Sequence, residues 1–594
     1  MLYISHVNNM KKTKIICTLG PASGDKDTIR ELIKEGMNAS RHNFSHGDYE
    51  EHEERMNLVK EIRKEMDRHI AIILDTKGPE IRTGKFKDKK VELKEGEKFT
   101  IVCGEDILGD EHKCSVTYDE LHKDVKQGDR ILIDDGLIGL EVLSVEGNKI
   151  NCTIVNSGFV SDHKGVNVPG VSINLPALTE KDIEDLKFGI KQGIDIVAAS
   201  FIRKASDVLA IREVLTQNGG HDVLIFSKIE NREGVNNIDD IIKLSDGIMV
   251  ARGDLGVEIP TEEVPLVQKM IIQKCNVAGK PVITATQMLD SMIRNPRPTR
   301  AEASDVANAI FDGTDAIMLS GETANGKYPI EAVKTMARIA KRAEESLNYT
   351  AMLQKRSSNR MKTVPDAISL AVCSTAQELN AAAIITATQS GSTAKNVSKY
   401  RPECGIIAIT PYEKVARKLA LNWGVFPLCS PKAETTDELI DRSVEKATDA
   451  GLVNKGDLVV IAAGIPVNYV GSTNMIKVHI VGDVLVQGKG IGHNIATGTV
   501  KVARNCKDAY DILEEGDILV VDKMDKEYID LIQKASGIIV EADKVDASVF
   551  IECTATDTPI IYGAEGACKI IKTGTFITLE ASRGLVYSGN TDAI

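Results

Sequence analysis

The sequence predicts an α/β chain: a (β/α)8 TIM barrel with an inserted small β-barrel lid domain, then a C-terminal α/β domain and one further C-terminal module. Three observations predict it. Eight short apolar runs alternate with amphipathic segments; residues 84–178 interrupt that alternation with short, turn-bounded strands; and a second alternating pattern begins after residue 350. The expected units are 1–83 and 179–350 for the barrel, 84–178 for the lid, 351–481 for the α/β domain and 482–594 for the last module.

Taken in order, residues 1–9 carry no helical or strand pattern, and the run from Met10 looks like a natural beginning, so the first nine read as an extension. The barrel strands are expected at 13–19, 37–44, 70–74, 194–201, 223–229, 247–251, 281–286 and 316–319. Helix starts are visible between them. Thr179 with Asp182 three residues on forms a capping pair, and Pro298 opens the segment that runs through Ala309. The lid falls between the third and fourth strands, at the end of the barrel where such enzymes place their chemistry, with strands such as Lys98-Phe-Thr-Ile-Val. The α/β domain has strands at 382–387, 405–409, 458–462 and 475–481, and beyond 482 come glycine-rich turns and short strands.

Composition excludes several classes. A net charge of -13 over 594 residues, with 42% hydrophobic residues, argues against general affinity for nucleic acid or an anionic membrane. No apolar run approaches the roughly 18 residues that span a bilayer, and the start lacks the pattern of a signal peptide, so a cytoplasmic protein is expected. The 11 cysteines show no Cys-x-x-Cys spacing and read as reduced, packed thiols.

Charge collects at the strand ends. The run from Val223 turns abruptly to Lys228, Glu230 and Asn231; the run at 247–251 leads into Arg252, Gly253 and Asp254. Lys228 and Glu230, two apart on an extended chain, project from one face and share a small volume. In one parallel sheet Glu230 and Asp254 reach a common hard cation such as Mg²⁺, which takes a couple of carboxylates and completes its shell with water or phosphate. That points to phosphoryl transfer, although either carboxylate alone reads equally as a solvated strand-end charge. Arg41, Asn43 and Ser45 close the second strand, and the third ends in Asp75, Thr76, Lys77, Glu80 and Arg82. Asn43, Ser45, Asp75 and Thr76 offer only oxygen and suit a monovalent ion, while Arg41 and Arg82 have the fork that grips phosphate. Thr284 and Thr286 end the seventh strand; Ser320, Gly321 and Glu322 follow the eighth. In the α/β domain, the turn from Thr388 through Ser390, Gly391, Ser392, Thr393 and Ala394 reads either as a phosphate cradle or as a simple helix cap. Gly488, Gly490 and Gly492 resemble a dinucleotide loop only superficially, for no helix pattern or distal acid follows.

The runs Thr13-Lys-Ile-Ile-Cys-Thr-Leu-Gly-Pro-Ala-Ser, Arg41-His-Asn-Phe-Ser-His-Gly, Leu74-Asp-Thr-Lys-Gly-Pro-Glu-Ile-Arg, Ser227-Lys-Ile-Glu-Asn, Ala251-Arg-Gly-Asp-Leu-Gly, Ala285-Thr-Gln-Met-Leu and Ile317-Met-Leu-Ser-Gly-Glu-Thr make the chain resemble the pyruvate kinases over nearly its whole length. The resemblance implies transfer of phosphate from phosphoenolpyruvate to ADP, with Mg²⁺ (or Mn²⁺) on Glu230 and Asp254 and K⁺ on Asn43, Ser45, Asp75 and Thr76. It implies that Arg41 and Lys228 hold the transferring group, that amides of Gly253 and Asp254 take the substrate carboxylate, and that Thr286 lies near the enol methylene. Arg82, Lys204, Asn43 and His46 fall near the nucleotide, and a water chain through Ser320 is the candidate proton route. Members with lysine at the place of Glu80 dispense with K⁺; those with glutamate require it. A phosphorylated allosteric ligand at Ser390 to Ala394 and a homotetramer are also implied. His42 departs from the apolar residue usual there and faces away from the site. Residues 482–594 resemble the swivelling phosphohistidine domain of phosphoenolpyruvate-using enzymes, but the matching stretch holds Ser548 and no histidine follows His493. Two other readings stay open: a metal-dependent lyase acting on a pyruvate enolate, and a catalytically silent effector-binding protein.

Overall fold

The computed structural model describes residues 6–358, 363–455, 457–466, 473–482 and 484–589. Eight strands close a barrel: β1 (Lys14–Thr18), β2 (Met37–Asn43), β3 (Ala71–Asp75), β4 (Ile196–Ala199), β5 (Leu224–Ile229), β6 (Gly247–Ala251), β7 (Val282–Ala285) and β8 (Ala316–Leu319). Every neighbouring pair is parallel, and β1 closes the ring against both β2 and β8. Continuous apolar runs form these strands because both faces are buried. Ile16, Ala39, Ile73, Phe226, Met249 and Met318 fill the barrel interior, while a larger layer packs between strands and helices. Registers of Thr18 with Arg41, Asn43 with Asp75 and Ala199 with Ser227 level the polar strand ends at one mouth.

The helix Glu180–Gln192 starts on the reciprocal Thr179 and Asp182 cap and ends at Gly193 in the left-handed region, φ 70°. The later helix runs from Arg300 to Asp312 and is capped by Thr299 with Glu302, so Pro298 precedes that start rather than opening it.

The lid is a seven-stranded sheet whose first strand, Ile81–Arg82, lies just before the boundary expected at 84. Its edges meet where Thr83 bridges Val116, which curls the sheet toward a barrel around a core of its own.

The α/β domain has five strands, parallel except for Met475–Ile480. One of them, Val425–Cys429, has no counterpart in the sequence reading. Pro427 breaks its donor pattern, and the strand sits at the sheet edge, where proline is tolerated. Residues 6–9 also depart from expectation. They form a 3-10 turn with Val7 buried in the α/β core, and Asn8 Oδ1 accepts from Gly405 N at 2.9 Å, so this segment is part of the packing. Leu421 of the same domain joins the barrel-interior core from below. Arg417 Nε donates to Asp195 at 2.9 Å, and Arg401 Nη1 to Asp315 at 2.9 Å, pinning domain to barrel.

The last module is richer than short strands and turns. Ile495–Ala503, Ile518–Val521, Gly537–Val540 and Ile560–Tyr562 run parallel, and the helices Cys506–Ile512 and Ala547–Ala555 alternate with them. Gly490 lies in a strand so tight that a Cβ there would stand 1.7 Å from the Ala581 carbonyl oxygen; close packing, not dinucleotide binding, requires this glycine. Ser548 is engaged in a helix cap, its hydroxyl donating to Asp546 Oδ1 at 2.7 Å. The module meets the α/β domain through Arg583 and Asp457 at 3.0 Å and through the Tyr587 hydroxyl, which donates to the Lys455 carbonyl at 3.3 Å. All eleven cysteines are free thiols. Among the described residues no helix is long and apolar enough to cross a membrane.

Candidate active site

The barrel mouth is built around a buried ammonium. Lys228, near the end of β5, donates to Asp75 Oδ1 at 3.0 Å from β3 and to the Ser200 hydroxyl at 2.8 Å just past β4, and it pairs with Glu230 Oε1 at 3.0 Å. The spacing of two between Lys228 and Glu230 thus puts both on one face. Burial by itself would lower the pKa of Lys228, but Asp75 and Glu230 outweigh it and hold the ammonium firmly protonated. Arg41 completes the cluster from β2, with Nε donating to Asp75 Oδ2 at 2.6 Å and Nη1 to Thr18 Oγ1 at 3.0 Å. Burial would raise the Asp75 carboxyl, yet Arg41 and Lys228 keep it below its usual range.

Glu230 is the strained member of this set. Burial, relieved by Lys228 and then aggravated by Asp254, pushes its carboxyl up to about 7. Its second oxygen accepts from the Phe201 amide at 2.5 Å, and Phe201 adopts φ 55°, a left-handed conformation that a bulky side chain rarely takes. Asp254 is half-buried in the first turn after β6, and its side chain makes no hydrogen bond or ion pair among the described residues. An under-compensated buried carboxylate beside an unpaired one fits a divalent cation held by Glu230 and Asp254; the pair also matches the few carboxylates Mg²⁺ takes. The oxygen set at Asp75 is partly engaged. Thr76 Oγ1 accepts from Ser200 N at 3.1 Å, and Asn43 Oδ1 from Ser45 N at 3.2 Å, leaving further lone pairs on each.

The turns after β7 and β8 interlock. Thr286, at φ 69°, accepts the Gly253 amide on Oγ1 at 2.7 Å, so that amide is already engaged, whereas Asp254 N lies in a first helical turn, where amides lack intrahelical partners. Arg252 Nη2 donates to the Thr286 carbonyl at 2.8 Å, and Arg252 Nη1 to Asp305 at 2.7 Å. Glu322 accepts from Leu289 N at 3.0 Å and Ser320 N at 2.7 Å, tying the two turns together. The Ser320 hydroxyl is buried and has no hydrogen-bond partner among the described residues. His42 is turned away from the mouth, edge-to-face with His52, and burial followed by His52 lowers its pKa to about 3.

Between mouth and lid lies a cavity of about 390 Å³ lined by Arg82, Lys164, Arg203, Asp254 and Glu258 among others. Arg82 is held by Glu80 at 2.6 Å. Lys204 and His46 are exposed and do not line this cavity; beside Lys204 it is Arg203 that does, its guanidinium donating to the Ile173 carbonyl at 2.8 Å. In the α/β domain a smaller cavity, about 50 Å³, is lined by Thr388, Ser390, Ser392 and Thr393 together with Lys432 and Arg442. The Thr393 hydroxyl is buried against that of Thr473 at 2.9 Å, and Ala394 is fully buried, so Ser390 and Ser392 are the accessible hydroxyls of this turn. Lys432 and Arg442, distant in sequence from the turn, were unreadable as partners. Ser200 was likewise missed, since an Ala-Ala-Ser strand end carries no charge signal.

A model of the pyruvate kinase barrel domain matches residues 10–333, and one of the pyruvate kinase alpha/beta domain matches residues 366–479. The chain belongs to the pyruvate kinase family. A third model, of the mobile domain of PEP-utilising enzymes, matches residues 513–584, the module beyond the family's two domains. Pyruvate kinase from Clostridium acetobutylicum is 65% identical over 472 residues, covering 80% of this chain and 100% of the relative. That from Geobacillus stearothermophilus is 52% identical over 586 residues, 98% of this chain and 100% of the relative. Among solved structures, a pyruvate kinase from Cryptosporidium parvum superposes with a TM-score of 0.77 at 41% identity, covering 80% of this chain and 97% of that one. The similarity therefore spans barrel, lid and α/β domain, and with the Geobacillus relative the C-terminal module as well.

Proposed function

We propose that this family member transfers the phosphoryl group of phosphoenolpyruvate to a terminal phosphate oxygen of ADP, giving pyruvate and ATP in cytoplasmic glycolysis. The observation that carries the reading is the buried Lys228 ammonium set between Asp75 and Glu230, with Arg41 beside it. Phosphoryl transfer asks little covalent chemistry of the protein; it needs positive charge fixed where phosphoryl oxygens gather negative charge, and alignment of donor with acceptor. Lys228 and Arg41 supply that charge without reorganising, because carboxylates already hold them in place. The enolate left by P–O cleavage takes a proton at its methylene carbon. Thr286 would face that carbon, and the unpartnered Ser320 hydroxyl supports a relay through water. Glu230 and Asp254 would hold Mg²⁺ or Mn²⁺, which when bound neutralises phosphate charge. The substrate carboxylate falls to the amide end at Asp254, while the nucleotide lies toward Arg82 in the lid cleft. A coupled assay for pyruvate from phosphoenolpyruvate tests the reading. Formation that depends on ADP is expected; formation without ADP would be hydrolysis, with water in place of ADP as acceptor, and none in either case would leave the lyase and the catalytically silent readings.

Monovalent dependence follows from the oxygen set. Asn43, Ser45, Asp75 and Thr76 would hold K⁺, and Glu80, which pairs with Arg82, is the residue of the K⁺-requiring pattern. Activity is expected to fall severalfold or more when K⁺ is replaced by tetramethylammonium. Equal activity in the two salts would remove K⁺ from the account.

For the α/β domain we infer a phosphorylated effector bound at the 390–394 turn, supported by the basic Lys432 and Arg442 across that cavity. Coupling of this kind is commonly about 5- to 150-fold in affinity. Ser392→Glu is expected to abolish the shift in KM for phosphoenolpyruvate on adding a sugar phosphate, with stability unchanged. Thr393 is the poorer probe, because a carboxylate there would break its buried contact with Thr473. A response that survives Ser392→Glu would move the effector elsewhere. Membership of the pyruvate kinase family further supports a homotetramer, which mass by light scattering tests.

A further inference from the structure

We propose that Ser200 is a positioning residue for Lys228, acting on phosphoryl transfer through the orientation of the ammonium; this rests on the pyruvate kinase reading of the site. An ammonium has three N–H groups, and Lys228 has three acceptors: Asp75 Oδ1 at 3.0 Å, Glu230 Oε1 at 3.0 Å and Ser200 Oγ at 2.8 Å. The two carboxylates provide the charge that keeps Lys228 protonated. They do not by themselves fix rotation about the last side-chain bond, since each has two oxygens and a broad range of accepting directions. The hydroxyl removes that freedom because it is itself held. Ser200 is buried, its Oγ donates its one proton to the Thr76 carbonyl at 2.6 Å, and its backbone N–H donates to Thr76 Oγ1 at 3.1 Å. With the proton committed to Thr76, the lone pairs of Oγ face Lys228. The Asp75 oxygen that Lys228 uses is 3.3 Å from the same hydroxyl, so Ser200 spans β3 and β5 at the height of the cluster.

Ser200 is also the only neutral member of this triad of acceptors. A hydrogen bond between an ammonium and a carboxylate is roughly twice as strong as one between neutral groups, and one to a hydroxyl is weaker than that to a carboxylate. When a phosphoryl oxygen enters, the N–H that turns to it with least loss is the one on Ser200. The hydroxyl therefore holds the ammonium aimed in the free site and releases a donor in the loaded one. A carboxylate in its place would hold the proton too firmly, and an apolar group would leave the ammonium free to turn toward Asp75 or Glu230.

Ser200→Ala and Ser200→Cys test this together. Cysteine fills nearly the same volume but is a weak donor and acceptor, so it separates hydrogen bonding from packing. Both variants are expected to lose at least about tenfold in kcat for ADP-dependent pyruvate formation, the equivalent of about 1.4 kcal/mol in the barrier, with KM for phosphoenolpyruvate changed less. Exchange of pyruvate methyl protons with solvent, which needs the enolate site but no phosphoryl transfer, should stay near the wild-type rate and shows that each variant is folded. Wild-type kcat in either variant would overturn the proposal, as would parallel loss of transfer and exchange in a protein with an unchanged thermal midpoint. Failure of the underlying function would look different, since the unsubstituted enzyme itself would then show no ADP-dependent pyruvate.

Discussion

Glu230→Gln and Asp254→Asn are each expected to lower kcat/KM by at least about two orders of magnitude at saturating Mg²⁺, about 3 kcal/mol of transition-state stabilisation, the scale of a lost metal or preorganised electrostatic contact. Both substitutions keep shape and remove charge. The side-chain amide introduced by Glu230→Gln would still offer an oxygen to the Phe201 N–H, which Glu230 now accepts at 2.5 Å, so the strained φ of 55° at Phe201 need not relax. Lys228 would keep Asp75 as an anionic partner at 3.0 Å. The protein should accordingly fold, and a thermal midpoint near that of the wild type is expected for both. Removing the charge of Glu230 even relieves a buried carboxylate whose pKa stands at about 7. Asp254, which lacks an ion pair among the described residues, has no structural partner to lose. A carboxylate that was merely solvated would change stability by about 0.5 kcal/mol or less and leave turnover alone. Initial rates titrated with Mg²⁺ decide the matter: near-normal turnover in both variants refutes the metal assignment, whereas a large loss in only one identifies the other as a bystander.

The barrel was legible because its physics is local. A strand buried on both faces must be an apolar run, and when such a run ends in Lys228 and Glu230 or in Arg41 and Asn43, the change of character marks the open end of the barrel. Where a strand's burial is decided by a distant partner, the sequence is silent. Val425–Cys429 forms although Pro427 interrupts it, because only one of its edges is paired. Residues 6–9 are ordered by a pocket made around residues 405 and 426, nearly four hundred positions away. The site shows the same division. Its charged members could be found by type and spacing, and Lys228, Glu230, Arg41 and Asp75 do converge. Neutral members such as Asn43, Thr76 and Thr286 were found by their place at strand ends, but Ser200 and the backbone geometry of the mouth could not be. Ser200 looks like any serine ending a strand, and the left-handed Phe201 and Thr286, which aim an amide at Glu230 and a hydroxyl at Gly253, are products of the closed barrel. The family resemblance put Lys204 near the nucleotide, but the neighbouring Arg203 is the one that lines the cleft.

Lys228→Met is expected to lower phosphoryl transfer by about three orders of magnitude, near 4 kcal/mol, while leaving metal-dependent exchange of pyruvate methyl protons measurable. The asymmetry follows from where the ammonium stands. It is fixed against Asp75, Glu230 and Ser200 on β3, β5 and the end of β4, whereas Thr286 and Ser320, to which the proposed function gives the proton side, lie on the turns after β7 and β8. Methionine approximates the apolar stem of lysine and removes the terminal ammonium with its charge and three donors. The fold is weakened as well: Glu230 loses its one cationic partner among the described residues, Asp75 keeps Arg41 alone, and breaking a buried pair is commonly worth about 3–5 kcal/mol. A lowered thermal midpoint is therefore part of the expectation, and Mg²⁺ should recover some of it, because a cation at Glu230 and Asp254 compensates the carboxylate that Lys228 leaves exposed to its own burial. Proton exchange followed by NMR on pyruvate in deuterated solvent, beside the coupled transfer assay, separates the two half-reactions. If transfer survives and exchange is abolished, Lys228 belongs to the enolate proton and not to the phosphoryl group. If both fall together in a protein that still melts cooperatively, the ammonium holds the whole mouth in shape, and the charge it presents to phosphate is secondary.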